Sequence, residues 1–226
     1  MCGRYTLHKK AAELADRFNV ASVKDELREN YNVAPGQFMP VVINENGKTR
    51  IELMKWGLVP FWAKDPKIGY KLINARAETL FEKPMWRRAI KNRRCLVPAD
   101  GFYEWKLVKE DTKEDKHPFY VYPRQEELFS FAGIWESWKD TEDMEWKTYS
   151  IITTKPNKEM AKVHNRMPVI LHREDEDSWL DPLHGDRNDI EPYLQPYDDN
   201  GLEMYEVSSS VNLPKNNNAE LTYKLD

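Results

Sequence analysis

A cysteine directly follows the initiator methionine, in the opening run Met1-Cys2-Gly3-Arg4-Tyr5. Removal of Met1 gives a residue with an amine and a thiol on adjacent carbons, a pair that only an N-terminal cysteine carries. An α-amine with a pKa of about 7.7–8.0 is partly neutral at physiological pH, whereas a lysine at about 10.4 is not. Such an amine attacks an aldehyde and forms an imine. The thiol, with a free pKa of about 8.5 that a cationic neighbour can lower, can then close onto the imine carbon to give a five-membered thiazolidine. That ring resists the β-elimination open to a plain Schiff base. The competing reading is a small residue at a frayed terminus.

The second cysteine, Cys95, lies in the apolar run Cys95-Leu96-Val97 and is expected to be a buried, inert core thiol. Two cysteines without a CxxC pair suggest neither a disulfide framework nor a zinc site, so no metal is expected. No GxGxxG or GKS/GKT loop occurs, and nucleotide cofactors have no support.

Imine chemistry also needs groups that move protons and orient the aldehyde. The chain offers Asn74 and Arg76 in INARAE, Glu104 in GFYEW and His164 in HNRMP. Each has a plainer reading. Glu104, between Tyr103 and Trp105, could face outward from a strand. His164 could balance a helix dipole. Asn74 could be a turn residue, and Arg76 could pair with Glu78.

The elements that would hold these residues are mostly strands. Ala11, Leu14, Ala15 and Phe18 form the stripe of a short amphipathic helix. NVAPG (32–36) is a turn, PVVI (40–43) a strand, and NENG (44–47) the hairpin connection to TRIELMKW. A second helix is expected from about Glu78 to Ile90, then strands at CLVPA (95–99) and FYEWK (102–106). LVKEDTKEDKH reads as a charged hairpin loop, followed by strands at 118–122, 128–135 and 148–154, each rich in β-branched and aromatic residues. Residues 156–164 read as a helix with Pro156 near its start and His164 at its end. A strand at 168–171, short surface helices around DSWLDPL and DIEPYL, and a strand near MYEVS complete the chain. The expected fold class is α+β, one domain over 1–226 on antiparallel, barrel-like sheet with peripheral helices.

The formal net charge of −4 argues against nucleic acid only on average. Residues 172–206 hold 12 acidic residues against Arg173 and Arg187, which leaves the rest at +6. A basic remainder suits phosphate. The run PMWRRAIKNRR (84–94) could serve it, although a charge run is commonly a solvated helix face. No apolar run approaches the roughly 18–20 residues of a membrane span, and no signal segment follows Met1. A cytoplasmic monomer, nucleoid-associated when on DNA, is the expectation.

Taken together, MCGRY, NVAPG, WGLVP, INARAE, RRCLVPADGFYEW, HNRMPVIL and VSSSVNLPKNNNAEL resemble the SOS-response-associated peptidase family, the abasic-site processing proteins. The resemblance runs from residue 2 nearly to the end. It implies that Cys2 becomes the N-terminus, by autocatalytic removal of Met1 or by a housekeeping aminopeptidase, and crosslinks to the aldehyde of an abasic site in single-stranded DNA. It further implies that Asn74 holds the reacting terminus, and that Arg76 and Arg4 grip phosphate. Glu104 would assist removal of Met1 and then act on the amine, and His164 would be the acid that opens the abasic sugar. Asn32 and Pro35 would shape the loop beside the site. Trp62 would stack on bases; Phe61 precedes it where some family members carry two tryptophans. Arg166, beside His164, is the better phosphate candidate than the 84–94 run. A single-strand preference follows from the need to reach C1′ of an unpaired sugar.

Two other classes fit parts of the sequence. N-terminal-nucleophile glutamine amidotransferases also begin Met-Cys-Gly, but the later segments lack the motifs of a glutamine pocket. A non-covalent single-strand-binding module would use Trp62 and the arginines without Cys2. Proteolysis of other proteins is not expected, and strand scission by a lyase reaction would be suppressed by the thiazolidine.

Overall fold

The computed structural model describes residues 2–20, 27–110 and 113–225. β1 (Arg4–Leu7) leads into α1 (Ala11–Arg17), where Leu14 and Phe18 are buried as the stripe requires. The Glu13 carboxylate accepts from the Lys10 N–H at 2.9 Å, and Arg17 forks onto Glu176 at 2.8 and 2.9 Å. β2 (Asn30–Val33) returns beside β1. β3 (Phe38–Glu45) and β4 (Lys48–Trp56) form the expected hairpin through Asn46 and Gly47, both at positive φ.

After β5 (Asn74–Arg76) the expected helix at 78–90 divides. A single 3₁₀ turn occupies Ala77–Thr79, and α2 runs Pro84–Asn92, because Pro84 fits the first helical turn and cannot continue a preceding one. β6 (Arg94–Ala99), β7 (Gly101–Glu110), β8 (Lys113–Pro123), β9 (Phe129–Lys139) and β10 (Glu145–Thr154) follow. The charged segment read as a loop is a continuation of the β7–β8 ladder; Asp111 and Thr112 lie outside the described residues.

The remainder is short. Residues 156–164 hold only a 3₁₀ turn, Met160–Lys162, rather than a helix. The Asn157 side chain caps it, Oδ1 accepting from the Met160 N–H at 2.9 Å while Nδ2 donates to the carbonyls of Tyr197 and Asp198. β11 (Met167–Pro168), β12 (Ile170–Leu171), α3 (Glu176–Leu180), α4 (Arg187–Ile190) and β13 (Leu202–Glu206) complete the order.

Two sheets result. β10, β4, β3, β6 and β9 pair in that order and β9 pairs back to β10, closing a small barrel with β11 and β12 appended. Closure removes exposed edges. Pairing is largely antiparallel, as expected, but β10 runs parallel to both β4 and β5. The second sheet orders β13-β8-β7-β1-β2. Between them lie Tyr5, Trp56, Phe102, Phe131 and Tyr149, all buried, with the Tyr5 and Tyr149 hydroxyls 2.8 Å apart. The fold class is α+β. Among the described residues no helix is long and apolar enough to cross a membrane.

Candidate active site at the N-terminal cysteine

β1 hands Cys2 into the space between the sheets. Arg4 pairs with Tyr103, so the chain just before β1 runs along β7 where Glu104 sits. Cys2 is fully buried, its Sγ 3.8 Å from the Arg4 carbonyl. Burial, and after it the nearby Glu104 carboxylate, push the Cys2 thiol far above its ordinary value, so it rests protonated. Cys95 is also buried and its thiol also raised by burial.

Asn74 reaches the same point from the barrel. Its Nδ2 donates to the Cys2 carbonyl at 2.7 Å. β5 is set there by a close backbone approach: Gly57, at φ +120°, passes so near Gly69 that a Cβ would lie 2.7 Å from the Gly69 oxygen. Only glycine allows that contact. The Trp56 indole donates to the Ile73 carbonyl at 2.9 Å, fixing the residue just before Asn74.

Glu104 is 1 % exposed, so the outward-facing reading is wrong. Burial raises its carboxyl from the ordinary 4.5 to about 7. Such a group both gives and takes a proton at neutral pH. His164 is half-buried, and its Nδ1 lies 3.0 Å from the Arg166 backbone nitrogen and 3.2 Å from the Arg166 carbonyl oxygen. Desolvation chiefly, with the charges of Arg166 and of Lys116 in β8 contributing, lowers its pKa. Three residues beyond it, β11 pairs with Thr153 and Thr154 at the end of β10, where β5 brings Arg76 opposite Thr153.

The arginines divide by destination. Arg76 is exposed. Arg166, not Arg76, holds Glu78, at 2.5 and 3.0 Å, and it also donates to the Thr153 carbonyl. Arg4 donates to Asn32 Oδ1 and the Val211 carbonyl, both at 2.9 Å. Asn32 is buried, and its Nδ2 faces the carbonyls of Val211, Leu213 and Asn216. Asn32 thus clamps the tail segment 211–216. Pro35 is half-buried in a loop stitched to the end of β4 by Gly36 N–H to the Trp56 carbonyl at 2.8 Å. Trp62 and Phe61 are each 49 % exposed, and Arg88 lies 4.5 Å over the Phe61 ring.

In the basic run 84–94, Arg94 is buried, donating to the carbonyls of Ile90, Lys91, Trp179 and Asp181. Arg93 pairs with buried Glu136. These two are structural. Arg87, Arg88 and Lys91 remain exposed.

Cys2, Asn74 and Glu104 come together from segments far apart in sequence. The chain matches the profile of the SOS response associated peptidase (SRAP) family over residues 1–214. The chain belongs to this family. It is 47 % identical to the abasic site processing protein YoqW of Bacillus subtilis, over 98 % of both chains. It is 30 % identical to the abasic site processing protein HMCES of Gallus gallus, over 97 % of this chain and 76 % of that protein. The crystal structure of a protein from Bacteroides thetaiotaomicron superposes with a TM-score of 0.89 at 31 % identity, covering 99 % of this chain and all of that one. Both relatives are named for processing abasic sites.

Sequence reasoning missed the tail clamp. The asparagines of KNNNAEL are its visible trace, since Asn216 and Asn217 bond to the Ser210 carbonyl and the Tyr31 N–H. It also missed the Tyr5–Tyr149 hydroxyl pair beneath Cys2, which raises no signal in either local segment.

Proposed function

We propose that this protein captures abasic sites in single-stranded DNA covalently through Cys2, after removal of Met1 frees its α-amine. The observation that carries the reading is convergence on Cys2: Asn74 grips its carbonyl, and Glu104, a buried carboxyl with a pKa of about 7, lies beside its thiol.

The steps balance as one condensation. The Cys2 amine adds to the C1′ aldehyde of the opened abasic sugar, and the carbinolamine loses water to give an imine. The thiol then adds across the C=N bond, its sulfur to C1′ and its proton to nitrogen, closing the thiazolidine. A protonated thiol suits this order, because the amine acts first and the proton leaves sulfur only as the ring closes. Glu104 carries protons between amine, water and thiol. His164 serves as the acid toward the sugar ring oxygen. Glu104 also activates water for cleavage of the Met1–Cys2 bond. Arg76, Arg4 and Arg166 are the phosphate contacts, the latter two after exchanging part of their present partners. Exposed Trp62 stacks on bases.

Processed wild type and Cys2→Ala, mixed with a single-stranded oligonucleotide holding one abasic site, should separate on a denaturing gel. Wild type forms a heat-stable adduct unaided. Cys2→Ala, which keeps an α-amine, gives one only when borohydride traps the imine. Equal unaided adducts from both would remove the thiol from the reaction. Glutamine hydrolysis without any adduct would favour an amidotransferase instead.

A further inference from the structure

An aromatic groove lies outside the site just described. Its cavity of about 250 Å³ is lined by Tyr70, Trp138, Trp146, Lys55 and Asp140, with Gly57 and Thr148 at its floor. Tyr70 is 63 % exposed, Trp146 38 %, and Phe38 stands 6.1 Å from the Trp146 ring. This volume is below the roughly 300–1,000 Å³ of drug-sized ligand pockets and suits one flat ring system.

The walls are set in advance. The Trp146 indole N–H donates to Asp140 at 3.0 Å, and the other Asp140 oxygen accepts the N–H groups of Glu142 and Met144. Trp138 donates to the Ala63 carbonyl at 2.7 Å, tying the groove to the loop that carries Phe61 and Trp62. Lys55 Nζ hangs between the two outer rings, 6.0 Å from Tyr70 and 5.9 Å from Trp146. Beside the groove, Lys64, Lys67 and Lys71, with Asp65 among them, line a hollow together with Trp62. Apolar flat walls rimmed by ammonium groups match a base and its phosphate better than an apolar peptide.

The groove also lies within a short span of the Cys2 site. The Pro35–Gly36 loop, which follows the strand paired with β1, separates the two, and a Cβ at Gly36 would touch the Tyr70 ring at 3.4 Å. Along β10, Thr148 at the groove and Ile151 opposite Asn74 are three residues apart, roughly 10 Å at strand rise. That is a short reach for an extended single strand.

We propose that this groove takes one unpaired nucleobase of the strand flanking the abasic nucleotide, stacked against Tyr70 and Trp146 with Lys55 at its phosphate. The proposal rests on the reading of Cys2 as the crosslinking residue. It makes the groove a register device that holds the strand while the sugar is opened.

The test measures affinity of processed protein for undamaged single strands by fluorescence anisotropy, then crosslinking to strands with one reactive abasic site. A tetrahydrofuran spacer, which has no aldehyde, replaces each flanking nucleotide in turn. Tyr70→Ala and Trp146→Ala should each weaken binding about tenfold, in the range that loss of one stacked base gives. Tyr70→Phe and Trp146→Phe should bind as wild type, which separates stacking from misfolding. One spacer position should weaken wild type by the same factor and leave the alanine variants no weaker. Wild-type affinity in both alanine variants, or spacer losses that multiply with theirs at every position, would overturn the proposal and leave the groove to an apolar peptide. Loss of crosslinking with these affinities intact would count against the Cys2 reading alone.

Discussion

Glu104 should make the protein less stable as the solution becomes more alkaline, against the usual trend for carboxylates. Its folded pKa of about 7 stands above the ordinary 4.5 because burial disfavours the charged form. The folded state therefore binds this proton more tightly than the unfolded state does. The stability linked to it is complete below pH 4.5 and is lost as pH rises through about 7. Over that interval, at about 1.36 kcal/mol per pH unit, the loss is about 3 kcal/mol. Glu104→Gln keeps the shape and removes the charge, so its stability relative to wild type should climb by that amount between pH 4 and pH 8. Urea unfolding of both proteins across this range measures the difference, and their common titrations cancel. A difference that stays flat with pH, or falls, would refute the assignment of a protonatable buried Glu104. The variant should also crosslink more slowly, since glutamine cannot carry protons.

Two further substitutions test the division of the polar residues. Arg94→Met should cost on the order of 3 kcal/mol, because it strands carbonyls at the ends of two helices, yet leave single-strand affinity of the folded protein unchanged. Denaturant melts and anisotropy at low temperature check both halves. Asn32→Ala should cost about 2 kcal/mol and release the tail, so limited proteolysis should cut within residues 208–218 faster than in wild type.

The candidate site was legible in part because the proposed chemistry needs unusual residues in unusual places. Cys2 stands out by position alone, and Asn74, Glu104 and His164 by the motifs around them. Their burial was not legible. In FYEWK the alternation places Glu104 on one face and Tyr103 on the other, so one was expected to meet water. Both faces of β7 are covered instead: one by the barrel, the other by the tail, where Tyr103 packs with Val207, Val211 and Leu221. Local alternation carries no information about a covering segment a hundred residues away. Arg94 fails for the same reason. Within 84–94 it looks like one more surface charge, and only the distant carbonyls of Trp179 and Asp181 draw it inside. The barrel strands, being apolar and β-branched, were read correctly. The short 3₁₀ turn before His164 was overextended because Asn157, which ends the regular backbone there, takes its partners from residues 197 and 198.

Intact-mass analysis of processed protein after incubation with an abasic single strand, without reductant, tests covalent capture most directly. The account predicts one adduct weighing protein plus oligonucleotide less one water, and none from protein that retains Met1. Processed protein that yields no adduct, or Met1-bearing protein that yields as much, would contradict it.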